Sequence, residues 1–366
     1  NTLHTLRASG EKSLHALFGK DSYPQSYQIN HNYTTYYVPV TLTTIEISAS
    51  TVIVDYMAYG FISLSEVTYI ESITSIGDYA FYNLKSLSAI MLPETLEHVG
   101  DYAFYNNEKA NFTISQNNIE HVGEYAFKNC SNLSEFDSDK IEYIGKNAFE
   151  GCLSLANLSI TKDTPAGVVF GKQMFVNSYQ AEQDSHTYYI PSKLKTIKIY
   201  GEGELADYIL ANMTSLTSIT LEGELEIPAT AFENLTNVED FSGEDIKYIG
   251  LGALEDMPWL DSYINDQPNK SMVYIGKVLY TYKGRMDIGY IANFEEDTSQ
   301  LYFNAFDGQN RLVRVNINKD MQYIAISAFD ACSSLNYIDV DENNEYYMSI
   351  DGILYDKDGE TVIFTP

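Results

Sequence analysis

Apolar and polar positions recur along this chain with a period of 22 or 23 residues. Each period contains an Ala-Phe pair, and four consecutive phenylalanines are 23, 23 and 22 residues apart: Phe81, Phe104, Phe127 and Phe149. Positions −5, −1, +6 and +9 from the phenylalanine are also apolar in most periods. A fixed period of this length predicts a solenoid, in which each repeat forms one coil and buries its apolar face against the next coil.

The pattern within one period predicts the parts of a coil. The spacing Leu87-x-x-Ile90-x-Leu92 is typical of a short strand with one buried face. Residues 78–82 are predicted to form one helical turn that directs Ala80 and Phe81 inward. We therefore expect a right-handed, curved array of stacked 22–23-residue coils, with parallel strand ladders about 4.8 Å apart and short helical turns.

Two other positions predict where the backbone bends. A glycine before each turn, such as Gly77 or Gly100, suggests a tight bend. Two residues after most phenylalanines stands Asn or Gly, which tolerate the left-handed backbone that commonly ends a helix. The residues at this second position are Asn83, Asn106, Asn129, Gly151, Asn177, Asn212, Asn234, Asp256, Gly308 and, as an exception, Ala331.

The whole chain is predicted to be one solenoid over residues 1–366. Residues 1–36 are expected to form an irregular N-terminal cap or partial coil, and residues 37–335 the repeats. Inserts interrupt the repeats near residues 178–187 and 264–290, and residues 336–366 are expected to form a C-terminal hairpin or cap.

One insert occurs twice. Tyr37-Val38-Pro39 returns 152 residues later as Tyr189-Ile190-Pro191, which indicates a longer duplicated block laid over the short period. Such inserts form loops at one edge of a solenoid and often bind ligands, although a solvated loop is the simpler expectation. Residues 278–284 and 353–359 also resemble each other, and each is predicted to be a hairpin with its glycine, Gly284 or Gly359, at the turn.

The composition narrows the possible partners. The chain has 51 acidic and 22 basic residues and a formal net charge of −29, which makes nucleic acids and anionic membranes poor partners. No apolar run is long enough for a membrane-spanning helix, so we expect no membrane insertion. The chain begins with Asn1 rather than Met, and we expect that a preceding segment has been removed.

The three cysteines follow the repeat. Cys130, Cys152 and Cys332 each stand three residues after a phenylalanine of the pattern, which predicts buried, unreactive core side chains rather than a disulfide framework. The sequence also has no Gly-x-Ser-x-Gly, HExxH or phosphate-binding glycine motif. We therefore predict no catalytic residue, no cofactor and no metal site.

Residues 144–155 read Ile-Gly-x-x-Ala-Phe-x-x-Cys-x-x-Leu. This motif resembles the repeat of the BspA-type leucine-rich repeat proteins, also called the treponemal class. The resemblance covers nearly all of residues 40–366 and implies a leucine-rich repeat solenoid from a secreted or surface-anchored bacterial protein. Several family members are adhesins for host extracellular-matrix proteins or other bacteria, and the family has no shared active site.

Two histidines are candidate ligands. His98 and His121 are 23 residues apart and are expected to lie side by side on adjacent coils, beside a ladder of Glu97, Glu120 and Glu142. Imidazoles and carboxylates at strand spacing could hold Zn²⁺. The alternative is that they are exposed strand residues repeated with the coil. The sequence shows no evident hydrogen-bond partner that would orient these ligands and no further ligand from elsewhere in the chain, which favours this alternative.

Tyrosines give a second candidate. The chain has 31 tyrosines, and Tyr79, Tyr102 and Tyr125 recur at one turn position, where they are expected to form a row. A tyrosine row could contact a protein or a sugar, because tyrosine offers a large contact area at low entropic cost. It could equally cover the seam between coils.

We therefore expect a monomeric, non-catalytic binding protein, extracellular or on a bacterial surface, with an adhesin role toward a protein or glycan. The possible binding surface is Tyr79, Tyr102, Tyr125, His98 and His121. The alternative is a structural spacer that presents another module at the cell surface. An enzyme is the least favoured hypothesis, because no pair of acids stands out as a catalytic pair.

Overall fold

The computed structural model describes residues 4–10, 12–20, 25–48, 51–69, 72–114 and 118–366. These residues form two compact units. The first contains residues 1–200 and 206–219, and the second contains residues 201–205 and 220–366. The predicted cap, residues 1–36, lies partly outside the described residues, and one continuous solenoid over residues 1–366 stays a prediction.

Short strands of successive coils pair in parallel in the first unit, as the period predicts. One ladder contains Thr5–Ala8, Thr44–Ile47, Glu66–Tyr69, Ala89–Leu92 and Asn111–Ile114. A second contains Val52–Ile53, Ser75–Ile76, His98–Val99, His121–Val122 and Tyr143–Ile144. The strands that follow are Glu135–Phe136, Asn157–Thr161, Thr196–Tyr200 and Ser218–Glu222, the last of which spans the boundary between the units.

The second unit repeats this arrangement with additional antiparallel strands. Its parallel strands are Gly203–Glu204, Leu225–Ile227, Asp240–Ser242, Ile246–Ile249, Tyr290–Asn293, Gln300–Leu301, Leu312–Ile317, Tyr323–Ile324 and Tyr337–Val340. The antiparallel strands are Ser271–Ile275 with Val278–Lys283, and Tyr347–Ile350 with Ile353–Asp356 and Val362–Phe364.

Helices are few and short among the described residues. They are the α-helices Ala166–Phe170 and Pro258–Asp266 and the 3-10 helices Leu14–Leu17 and Ile326–Phe329. The leucine-rich repeat solenoid predicted from the period is thus confirmed, but most coils turn without a helix.

The helical turn predicted for residues 78–82 is wrong. Tyr79 and Asn83 both have left-handed backbones, with φ of 55° and 61°. The N–H groups of Tyr79, Phe81 and Asn83 donate to carbonyls one coil further on, at 2.8, 2.8 and 2.7 Å. A helix would use these groups within its own turn, so bonding between coils replaces helix formation here.

The inward direction of the Ala-Phe pair is confirmed. Phe81, Phe104, Phe127 and Phe149 are fully buried and stack one above another, with ring centroids 5.5, 5.3 and 5.6 Å apart. Burial of one phenylalanine stabilises a fold by roughly 1.5–3 kcal/mol, so this column is a main support of the first unit.

The position two residues after the phenylalanine has the expected conformation in most coils. Asn106, Asn129, Gly151 and Gly308 are left-handed, and even the exception, Ala331, has φ of 55°. The glycines before the turn are required for a different reason than the tight bend that the sequence predicts. A Cβ on Gly100 would lie 2.7 Å from the backbone nitrogen of Asp78, so glycine permits the close approach of two coils.

The duplicated inserts are hairpins, not solvated loops. The first hairpin pairs Ser26–His31 with Thr34–Pro39, and the second pairs Ser178–Gln183 with His186–Pro191, in the same antiparallel register. Both carry buried side chains, such as Val38 and Ile190, against the coils.

The hairpins predicted at residues 278–284 and 353–359 differ in outcome. Gly359 lies in the turn between Ile353–Asp356 and Val362–Phe364, with φ of 71°, as predicted. Gly284 instead follows Val278–Lys283, and Gly276 makes the turn of that hairpin.

Candidate functional site

Tyrosines line the outside of the turns in the first unit. Because Ala and Phe at the centre of each turn point inward, the residues two before and one after the phenylalanine face outward. We call the seven tyrosines at these positions in the consecutive coils from residue 56 to residue 125 the tyrosine ribbon: Tyr56, Tyr59, Tyr79, Tyr82, Tyr102, Tyr105 and Tyr125. All seven are half-buried.

The ribbon has two columns. In the first, the rings of Tyr56, Tyr79, Tyr102 and Tyr125 stack with centroids 4.9, 4.7 and 4.8 Å apart and planes within 18° of parallel. In the second, Tyr59, Tyr82 and Tyr105 stack at 4.8 and 4.9 Å. The columns touch, because the two rings of each coil lie 5.6–5.7 Å apart.

Stacking determines which parts of the rings are available. Each interior ring has both faces covered by its neighbours in the column. Ring edges and phenolic hydroxyls therefore form the outer surface. Desolvation, and then the neighbouring Tyr102, raises the pKa of Tyr79 to about 12, so this hydroxyl keeps its proton and can donate a hydrogen bond.

The first column is built on an unusual backbone. Tyr56, Tyr79, Tyr102 and Tyr125 all have φ near 55°. A left-handed backbone is uncommon for a bulky residue and costs about 1–3 kcal/mol. Asn147 and Asn304, at the same position of other coils, have φ of 57° and 56°, so the fold accepts a residue that adopts this conformation readily.

A row of acids runs beside the first column. Asp55, Asp78, Asp101 and Glu124 each precede a ribbon tyrosine. The Oδ1 atoms of the three aspartates accept hydrogen bonds from the backbone N–H of the next acid, at 2.9, 2.7 and 2.7 Å. Desolvation raises the pKa of Asp78, and the backbone hydrogen bond opposes this shift. The row places negative charge along one margin of the ribbon.

A different side chain packs against each end of the ribbon. At one end, His31 of the first hairpin packs on Tyr56, with ring centroids 4.6 Å apart. At the other, Lys128 Nζ lies 5.9 and 5.2 Å from the ring centroids of Tyr105 and Tyr125. Lys128 also pairs at 3.1 Å with buried Glu150, which occupies the second-column position of the next coil.

The two candidate histidines lie beyond the acid row. His98 and His121 pair in register, and their rings stack with centroids 4.3 Å apart. Tyr143 continues this stack at 4.5 Å. Desolvation and the neighbouring His98 lower the pKa of His121, whereas Asp101 and Asp78 oppose this shift.

Metal-binding geometry is not found in the described ranges. No three of their His, Cys, Asp or Glu side chains form a group that could hold a metal ion. All three cysteines are free and buried, as predicted. Each thiol donates to the carbonyl of the preceding coil's phenylalanine, as Cys130 does to Phe104 at 3.1 Å, and desolvation raises their pKa values, that of Cys332 to about 11.

The structure brings the five predicted surface residues together on one face of the first unit. Tyr79, Tyr102 and Tyr125 form the expected row, and the acids connect it to His98 and His121. That this face binds a ligand stays a prediction. Sequence reasoning missed four other ribbon tyrosines, although their spacing of 23 residues was available: Tyr56, Tyr59, Tyr82 and Tyr105. No short-period signal indicates His31, because it lies in the inserted hairpin.

The repeat itself identifies the family. A family model described as "BspA type Leucine rich repeat region" matches six copies, over residues 51–182, 184–283 and 280–350. The chain belongs to the BspA-type leucine-rich repeat family. The resemblance seen in the motif at residues 144–155 is thereby confirmed.

Solved structures with similarity to this BspA-type chain include three bacterial proteins. A leucine rich cell surface protein from Faecalibacterium prausnitzii A2-165 is 18% identical over 93% of this chain and 88% of its own, with a TM-score of 0.29. A leucine-rich repeat protein from Bacteroides ovatus ATCC 8483 is 13% identical over the same shares, with a TM-score of 0.28. The pneumococcal vaccine antigen PcpA is 16% identical over 93% of this chain and 73% of its own, with a TM-score of 0.32.

Two further observations concern this BspA-type chain. A search of curated proteins finds no match. Within the ranges that the structure describes, no helix has the length and apolar character needed to cross a membrane.

Proposed function

We propose that this chain is a non-catalytic, extracellular binding protein of a bacterial surface that contacts a protein ligand through the tyrosine ribbon. Family membership supports the extracellular setting, because the BspA-type resemblance implies secreted or surface-anchored proteins. An adhesin role is the corresponding biological function. The ribbon supports the choice of surface, because it is the extended aromatic array of the first unit.

The observation that carries the proposal is the stacking of the ribbon rings. A sugar packs on an open aromatic face, but interior rings at 4.7–4.9 Å spacing have no open face. Edges and hydroxyls of tyrosine suit the mixed polar and apolar contacts of a protein interface, where tyrosine is enriched. Of the two ligand classes, protein and glycan, this geometry favours protein.

Backbone strain is a cost of the ribbon tyrosines. One left-handed tyrosine costs about 1–3 kcal/mol. One stacked aromatic pair contributes about 0.5–1.5 kcal/mol beyond the burial of its area, so stacking and burial together offset this cost. Asn147 takes the same conformation in the next coil, which shows that the fold also accepts a residue without the ring, and the binding measurement below therefore separates a binding role from a purely structural one.

The acid row indicates the charge of the ligand. Asp55, Asp78, Asp101 and Glu124 follow the ribbon over four coils, and the chain as a whole carries a net charge of −29. Complementary charge speeds encounter and excludes like-charged partners. We therefore expect a ligand segment rich in Lys and Arg, held by many modest contacts over several coils.

The test replaces tyrosines by the residue that the fold already uses at this position. Binding of the protein and of the triple variant Tyr79→Asn, Tyr102→Asn, Tyr125→Asn is measured against a panel of extracellular-matrix proteins and glycans. If each ring contributes about 1 kcal/mol, the triple variant binds its protein ligand roughly 100-fold more weakly, and each single variant only about fivefold. Tyr208→Asn is the matched control, because Tyr208 has the same left-handed backbone outside the ribbon.

Two outcomes would contradict the proposal. Unchanged binding of the protein ligand by the triple variant would show that the ribbon is not part of the interface. Binding of a glycan but of no protein would reverse the choice of ligand class. If nothing on the panel binds the protein or its triple variant, the spacer hypothesis gains support, because a spacer needs no ligand-binding surface.

A further inference from the structure

The two hairpins belong to duplicated blocks that share backbone hydrogen bonds at an offset of 152 residues. The N–H of Leu14 donates to Met57 at 3.0 Å, and the N–H of Ala166 donates to Ile209 at 2.9 Å. The N–H of Tyr37 donates to Gly19 at 3.0 Å, and that of Tyr189 donates to Gly171, also at 3.0 Å. The chain therefore contains the same hairpin and the same docking site twice, both within the first unit.

The contact that joins the hairpin to its coil differs between the copies. In the second copy, Gln183 is buried, accepts from the N–H of Gly167 at 2.8 Å and donates to the carbonyl of Ala211 at 3.2 Å. In the first copy, the residues that correspond to Gln183 and Gly167 are His31 and His15. A neutral amide thus joins the second hairpin to its coil, where the first hairpin has two imidazoles.

The two imidazoles stack in an apolar setting. Their ring centroids are 4.7 Å apart with planes 13° from parallel, and His15 is only 2% exposed. His15 Nε2 donates to the carbonyl of Tyr59 at 3.0 Å, which corresponds to the Ala211 carbonyl of the second copy. Its Nδ1 contacts the Ser13 hydroxyl at 2.6 Å.

Aromatic rings surround the pair. Tyr36 from the first hairpin and Tyr59 and Phe61 from the adjacent turn pack against His15 at centroid distances of 5.7, 6.2 and 5.3 Å. Among the described residues, the charged group that shifts the pKa of His15 is His31, and its effect disfavours a second positive charge. Tyr56 and Tyr59 face His31.

We propose that His15 and His31 make the first hairpin acid-sensitive: their protonation in mildly acidic solution releases this hairpin from the coil beneath it, while the second hairpin stays docked. Two positive charges stacked among aromatic rings repel each other, and the charge on buried His15 also loses its hydration, whereas His31 is half-buried. Release of the hairpin returns both imidazoles to water.

The sign of the pH dependence follows from burial. Desolvation lowers the pKa of His15 from 6.5 to about 4 and also lowers that of His31. Because the docked-state pKa is depressed, docking is fully stabilised above the ordinary pKa of about 6.5 and is lost as the pH falls toward about 4. For His15 alone, lowering the pH from about 7 to about 5 raises the opening equilibrium roughly 20-fold.

Release would also remove the support that His31 gives to Tyr56 at the end of the tyrosine ribbon, where the two ring centroids lie 4.6 Å apart. This consequence rests on the proposed function: a ligand held along the ribbon would bind less tightly in mildly acidic solution. The opening of the hairpin does not depend on any ligand.

The test is hydrogen exchange of the unmodified protein without ligand, at about pH 7 and about pH 5, corrected for the intrinsic exchange rate. Protection of residues 26–39 is expected to fall roughly 20-fold, and protection of residues 178–191 to change less than about twofold. The double variant His15→Gly, His31→Gln reproduces the pair found in the second copy and is expected to remove the pH dependence of the first hairpin.

The comparison of the two hairpins keeps the test decisive if the double variant folds poorly. Equal pH dependence of both hairpins in the unmodified protein overturns the proposal, as does an unchanged loss of protection in a folded double variant. A hairpin that opens while the affinity for a matrix protein stays constant supports the acid response and counts against the ribbon as the interface.

Discussion

At the scale of single residues, steric fit between coils decides several positions. Asn107 stands where other coils have Leu84, Cys130 or Cys152, and it is fully buried. Its amide accepts from the N–H of Leu84 at 2.8 Å and donates to the carbonyl of Phe81 at 2.9 Å. A buried asparagine is tolerated here because the adjacent coil supplies partners for both halves of its amide.

Gly100 provides a prediction at this scale. A Cβ there would lie 2.7 Å from the Asp78 nitrogen and 2.7 Å from the Gly77 carbonyl carbon, and neither backbone atom can move without shifting a coil. Gly100→Ala is expected to lower the free energy of unfolding by about 3 kcal/mol in urea titration. The control is Gly308→Ala: Gly308 has φ of 69° but open space around it, so only the backbone cost of about 1 kcal/mol applies. A larger loss at Gly308 than at Gly100 would contradict this explanation.

At the scale of elements, hydrogen bonds between coils take precedence over local preferences. In each turn, alternate N–H groups donate hydrogen bonds to carbonyls of the following coil. Those of Tyr102, Phe104 and Asn106 do so at 2.9, 2.8 and 2.8 Å. The turn face is thereby bonded from coil to coil like the strand faces. A turn of this kind is held by its neighbours, and its sequence needs little helix propensity.

Gln183 provides a prediction for the second hairpin. Gln183→Ala leaves the Gly167 N–H and the Ala211 carbonyl without their partner, which should cost about 1–3 kcal/mol. We expect faster proteolysis and faster hydrogen exchange within residues 178–191. Gln180→Ala is the control in the same hairpin, because the Gln180 side chain is exposed and donates to the hydroxyl of Tyr189, which lies in the same hairpin. Equal effects of the two substitutions would exclude the buried amide as the main attachment.

The elements show how far the sequence alone could lead. The 23-residue period predicted the parallel ladders, the buried Ala-Phe pair and the row of Tyr79, Tyr102 and Tyr125 correctly. It could not predict the left-handed backbone of Tyr79, because that conformation runs against the preference of tyrosine and is maintained by the next coil. The period also did not predict the contacts of the first hairpin and of His31, since these contacts join residues that are not related by the 23-residue spacing.

At the scale of the whole molecule, charge is the dominant property. The net charge of −29 comes from 51 acidic residues, and many ion pairs are exposed, such as Arg7 with Glu46 at 2.6 Å. Exposed pairs contribute little to stability, about 0–1 kcal/mol each. We therefore expect the repulsion among the excess carboxylates to contribute more to the electrostatic free energy of the folded chain than the attraction within the exposed ion pairs.

This balance predicts that salt stabilises the chain. Raising NaCl from about 20 mM to about 200 mM shortens the Debye length from roughly 20 Å to roughly 7 Å and screens the repulsion between carboxylates. The melting temperature in calorimetry is expected to rise by a few degrees, and the affinity for a cationic ligand to fall in the same range. A melting temperature that decreases with salt would show that attractive pairs dominate instead.

The stacked tyrosines also give the molecule an optical property. Rings held parallel at 4.7–4.9 Å share their electronic excitation, so light absorbed by one ring of the ribbon is passed along the column. The single tryptophan, Trp259, belongs to the second unit, where it stacks on Tyr263 with ring centroids 4.7 Å apart. The near-ultraviolet circular dichroism of tyrosine therefore contains a contribution from the ribbon, to which the stack of Tyr280 on Tyr302 in the second unit also adds. The difference between the spectra of the protein and of the triple variant isolates the contribution of the ribbon without an added label.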